Sequence, residues 1–119
     1  MELDWMVLTK RPELIAERLP PDWERGYPNV WLGTTVEKQL YIERIDTLCD
    51  VPAVLHFVVA EPLLGVLHFG ERIEKLDWVI TGCEVGPWMS RIIMSKSWLR
   101  AILDECDAAR VPLFHKQYY

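Results

Sequence analysis

Seven residues of this chain could share one polar site: Lys10, Arg11, Glu37, Glu61, Glu84, Lys116 and Gln117. Each stands just after a short apolar run. Asp4-Trp5-Met6-Val7-Leu8 runs into Thr9-Lys10-Arg11, and Asn29-Val30-Trp31-Leu32-Gly33 into Thr34-Thr35-Val36-Glu37. Ala53 to Ala60 stops at Glu61-Pro62, Trp78 to Cys83 at Glu84, and Val111-Pro112-Leu113-Phe114 at His115-Lys116-Gln117. Three carboxylates held together raise one another's pKa and repel, and the cations Lys10, Arg11 and Lys116 would neutralise them. Such a mixed rim suits a structural ion network, a vestigial cofactor or anion pocket, or an active site. No residue is singled out as catalytic. An adjacent carboxylate disfavours a thiolate at Cys83, and no pair of histidines has metal-ligand spacing.

For those residues to converge, the runs must be strands of one parallel sheet. Near-continuous apolar runs separated by helical segments are the pattern of strands buried on both faces. The carboxyl ends of such strands share one rim, where ligands bind. The intervening segments predict a helix from Pro12 to Leu19, ended by Pro20-Pro21, and a second from about Lys38 to Cys49. One or two turns are expected over Glu71 to Leu76. The clearest helix starts near Ser97, with Trp98, Leu99, Ile102, Leu103, Cys106 and Ala109 along its apolar stripe. The expected fold is therefore α/β, a partial (βα) barrel-like parallel sheet of about five strands with helices packed outside, in a single domain over residues 1–119. Its two open edges would need protection or would pair, so a homodimer through the sheet edges is an expected form.

Composition narrows the partners. Half of the 119 residues are hydrophobic, six are Trp, and the formal net charge is −5. A real core is expected, while direct nucleic-acid binding, which needs clustered Lys and Arg, is not. The acidic start Met1-Glu2-Leu3-Asp4 is unlike a signal peptide, and no apolar run has membrane-spanning length. Cys49, Cys83 and Cys106 are odd in number and widely spaced, so a disulfide framework is not expected, and the chain reads as cytoplasmic. Trp88-Met89 with Arg91, in a loop after Gly86-Pro87, joins apolar area to a cation and is a candidate partner-binding tip.

The same runs carry a resemblance. Leu8-Thr9-Lys10-Arg11-Pro12, Asn29 to Gly33 with Val36-Glu37, Glu61-Pro62-Leu63-Leu64-Gly65, Trp78 to Glu84, and Val111 to Gln117 resemble a phage and prophage protein family, in that family's order. Its founding members are phage gene products numbered thirty-seven and sixty-eight, and its members look like radical S-adenosylmethionine proteins. The resemblance covers the carboxyl-terminal portion of the family. The family's amino-terminal cysteine cluster has no counterpart here, since no cysteine precedes Cys49, and Val85 and Tyr119 depart from its usual residues. Radical chemistry and a bound cofactor are therefore not expected. The resemblance implies a non-catalytic, phage-derived protein that binds and inhibits a host protein, with counter-defence inhibition of the anti-CRISPR type as the specific case. The alternative is a small-ligand protein or enzyme subunit that binds a nucleotide or S-adenosylmethionine-like molecule at the rim, with a second polypeptide supplying the missing barrel half.

Overall fold

The structure, a computed structural model, describes residues 3–87 and 92–116. Five strands form one sheet in the order β1 (Trp5–Thr9), β2 (Val30–Thr35), β3 (His56–Ala60), β4 (Trp78–Thr81) and β5 (Leu113–His115). Every neighbouring pair is parallel. The expected α/β architecture is present, and all five strands end at one rim.

The connections are shorter than their sequence pattern suggests. Instead of one helix over Pro12 to Leu19 there are two 3-10 turns, Pro12–Leu14 and Ala16–Arg18. Seven residues between Pro12 and Pro20 give too little length for the cost of helix nucleation. Pro20 also holds Leu19 extended, at φ −77° and ψ 149°. The second connection is likewise divided, into a 3-10 turn at Gln39–Tyr41 and helix α1 (Arg44–Cys49). There the Gln39 side chain bonds both the N–H and the C=O of His68, tying the turn to the loop that follows β3. A further 3-10 segment, Gly70–Lys75, precedes β4.

Helix α2 (Lys96–Ala109) is as expected. Ser95 caps it by accepting a hydrogen bond from the Ser97 N–H, and Arg110 ends it in the left-handed region at φ 58°. Its buried positions Leu99, Ile102 and Cys106 pack with Ile45 of α1, Leu63, Leu67 and Phe69 over Val58, Ala60 and Val79 of the sheet. Burial pushes the Cys49 and Cys106 thiols up to about 11, which suits small core residues. Arg72 clamps Asp46 of α1 through its Nε, 3.0 Å from each carboxylate oxygen, and holds that carboxyl below its ordinary range.

All of this packing lies on one face of the sheet. On the other, the inner face, Phe57, Val59 and Ile80 cluster, among the described residues, with Trp31, Leu55 and Trp78, residues of the strands or next to them. The Phe57 ring leans across β2 into the space a side chain at Gly33 would fill: an alanine Cβ there would lie 2.4 Å from the ring. Trp31 and Trp78 meet above it edge to face, with centroids 6.3 Å apart.

Candidate functional site

Side-chain alternation along each strand decides which polar residues reach the inner side of the rim. Met6, Leu8 and then Lys10 share that side, as do Gly33 and Thr35 of β2 and then Glu37, Phe57 and Val59 of β3 and then Glu61, and Phe114 of β5 and then Lys116. Lys10 and Lys116 therefore meet the carboxylates, but Arg11, one residue further on, does not. Its Nε lies 3.1 Å from Glu13, and its side chain lines an outer cleft between β1 and the 3-10 turns. The expectation that Arg11 joins the rim is corrected by that single step in register.

Each carboxylate has its own partner within the chain. Glu37 is buried, with Lys10 Nζ 3.6 Å from one oxygen and Arg44 Nη1 3.5 Å from the other. Glu61 is 2.9 Å from Lys116. Glu84 accepts a hydrogen bond from the Ile92 N–H at 2.5 Å. Arg44 is the residue that sequence reasoning missed. From the start of α1 it also donates to the Thr35 carbonyl at 3.0 Å, and its guanidinium lies 4.1 Å from the Tyr41 ring centroid. No local spacing marks it, because it reaches Glu37 only by the return of α1 onto β2.

Gly82 gives the rim room. A Cβ there would lie 2.8 Å from the Glu61 carboxyl carbon, so the glycine is what lets the Glu61 side chain lie against β4. The Gly82 carbonyl accepts from the Leu63 N–H and the Glu37 carbonyl from the Leu64 N–H, which lock the chain after Glu61 across three strand ends. One acceptor is left over: Glu37 Oε1, buried, has no hydrogen-bond donor among the described residues.

Below the rim the inner face is a trough of about 410 Å³, bounded by Met6 and Leu8 of β1 on one side and by Phe114 of β5 with the following Lys116 on the other. Phe57, Val59, Trp78 and Ile80 form its floor, and Glu61 lies at its rim end. That both edge strands flank one trough means the sheet curves toward this face. Met6, Leu8 and Phe114 remain about half exposed, at 45, 47 and 53%.

The remaining sequence candidates sort simply. His56 opens β3, away from the rim, with Nε2 2.7 Å from the Val51 carbonyl, and His115 Nδ1 is 2.9 Å from the Thr81 hydroxyl. Cys83 is buried near the rim, Cys49 faces the Lys75 carbonyl, and Cys106 is in the α2 core. The three thiols are dispersed, and no group of three His, Cys, Asp or Glu among the described residues is placed to hold a metal ion. These residues do not fit an iron–sulfur cluster. No helix among the described residues is long and apolar enough to cross a membrane. Trp88, Met89, Arg91 and Gln117 lie outside the described residues.

No curated protein and no solved structure matches the chain. One family model does, over residues 1–119, and the chain belongs to that family, described as a protein of unknown function, DUF5131.

Proposed function

We propose that this protein acts by binding another polypeptide in the open inner face of its sheet, and that its rim charges position that partner instead of performing chemistry. The observation that carries the reading is the trough itself. An all-parallel sheet is stable with both faces covered, yet here Met6, Leu8 and Phe114 stay half exposed above an aromatic floor. The rim supports it, because Glu37, Glu61 and Glu84 are each engaged within the chain and none stands ready as a base. The partner's chemistry follows from the surface. An apolar ridge, one helix or strand wide and with basic flanks, would match the trough and the net charge of −5. The phage-family resemblance supplies the setting, a host protein inhibited by capture, with a defence nuclease as the case of the anti-CRISPR type.

The test is affinity capture from host lysate with the tagged chain and with a Phe114→Asp variant, read by mass spectrometry. Phe114 is on the edge strand and half exposed, so the fold should tolerate the charge. A stoichiometric partner held by the wild type and lost by the variant is the expected result. Equal capture by both would remove the trough from the interface.

One observation favours a second reading, a small ligand at the rim. Glu37 Oε1 is a buried acceptor with no hydrogen bond among the described residues beyond the Lys10 ammonium 3.6 Å away, and a hydroxyl or amino group of a nucleotide or S-adenosylmethionine-like molecule would supply one. A ligand at a hundred times its dissociation constant adds about 2.7 kcal/mol of stability, a readily measured rise in melting temperature. No rise with S-adenosylmethionine, S-adenosylhomocysteine or common nucleotides would discard this reading.

A further inference from the structure

The two edges of the sheet are unequal. β5 is three residues long and is followed at once by the charged Lys116. β1 is five residues long, and Trp5, Met6, Val7 and Leu8 are 58, 45, 48 and 47% exposed, so it is open on both faces as well as along its edge. It carries none of the usual edge protection: no proline, no charge within the strand and no bulge in its register with β2. The hydrogen-bonding sides follow from that register. The Trp5 N–H donates to the Asn29 carbonyl at 2.7 Å, so Trp5, Val7 and Thr9 turn their backbone groups toward β2. Met6 and Leu8 turn theirs to the open edge.

From this edge we infer that the protein pairs with a second copy of itself, β1 against β1 in antiparallel sense about a two-fold axis through Val7. The inference goes beyond the trough reading and uses a different surface. In this register Met6 exchanges N–H···O=C bonds with the partner's Leu8, and Leu8 with the partner's Met6. Val7 faces its own symmetry mate. The strand's flanks decide between this pairing and others. Asp4 falls opposite the partner's Lys10, and Lys10 opposite the partner's Asp4, so Asp4-Trp5-Met6-Val7-Leu8-Thr9-Lys10 is self-complementary in charge when read backwards against itself. Lys10 is free to take part, since its side chain is 71% exposed and its link to Glu37 spans 3.6 Å. The two sheets become one of ten strands, with both troughs opening on the same side. The partner's Asp4 is also brought to the rim beside Glu37, so each rim site receives a residue from the other copy.

Sedimentation equilibrium on the intact chain, combined with cysteine cross-linking, tests this directly. Val7→Cys should oxidise to a covalent dimer, because a facing non-hydrogen-bonded antiparallel pair has its Cα atoms about 4.5 Å apart, within disulfide range. Trp5→Cys, facing the partner's Thr9, should not, and the wild type with its buried or half-buried cysteines is the control. Leu8→Pro removes an edge N–H that no strand among the described residues uses and should raise the dimer dissociation constant about tenfold or more. Asp4→Lys should weaken the dimer as well, and adding Lys10→Asp should restore it, which keeps the test valid if the proline variant fails to fold. A monomeric wild type would overturn the proposal. So would a dimer that ignores these changes and gives no Val7 cross-link. Phe114→Asp separates the two readings, since it should leave the dimer intact whatever it does to partner capture.

Discussion

Replacing Gly33 with alanine should destabilise the protein by about 3 kcal/mol, the upper part of the usual range for overpacking. The added methyl carbon would sit 2.4 Å from two carbons of the Phe57 ring. The ring is already closely packed on its strand side. It is 1% exposed, pressed between β2 and Trp78, whose ring centroid is 6.5 Å away. Either the aromatic cluster shifts or β2 and β3 separate at a directly paired position, Gly33 against Phe57. Shortening the ring should relieve the clash, so Gly33→Ala with Phe57→Leu should be less destabilised than the two single changes summed. Urea denaturation of the four proteins gives the coupling. A neutral Gly33→Ala would mean that the ring does not lie over the glycine, and the floor of the trough would have to be redrawn.

Arg44→Ala should cost roughly 2–3 kcal/mol. Breaking a fully buried ion pair costs about 3–5 kcal/mol, and the partial exposure of Arg44 reduces that. The Glu37 side chain is 9% exposed and Arg44 22%. Without the guanidinium, the Glu37 carboxylate keeps, among the described residues, Lys10 at 3.6 Å, and the Thr35 carbonyl loses a charged donor. Removing both charges together, as Arg44→Met with Glu37→Met, should be milder than Arg44→Ala alone, because no carboxylate is then left buried and unpaired. Thermal and urea unfolding check both. A double variant as unstable as Arg44→Ala would show that the guanidinium acts through its packing on Tyr41 and not through Glu37.

The strands and α2 were legible in the sequence because their patterns are strong. Apolar runs that stop at Lys10, Glu37, Glu61 and Lys116 left little choice of strand end, and Leu99, Ile102 and Cys106 repeat at helical spacing. The short crossovers were less legible. Leu14, Ile15, Arg18 and Leu19 also repeat at helical spacing, but the prolines at 12 and 20 leave room only for 3-10 turns. Arg11 was misplaced for a different reason. It adjoins Lys10, and adjacency in sequence hid the alternation that turns it to the opposite face. Arg44 belongs to α1 and reaches the rim only through the return of that helix onto β2, which no local pattern records. The open inner face was the least legible feature. Met6, Leu8 and Phe114 look in sequence like any other residues of a doubly buried strand, and only the placement of every helix on one side exposes them.

Hydroxyl-radical footprinting of the chain, free and in complex with the captured partner, tests the proposed binding surface most directly. Met6, Trp78 and Phe114 all line the trough, and their side chains are among the readily oxidised types. If a polypeptide fills the inner face, oxidation of these three should fall together in the complex, while that of the outer-face Trp5 should follow dimerisation and not partner binding. Unchanged oxidation of Met6, Trp78 and Phe114 in a stoichiometric complex would contradict the reading and place the partner on another surface.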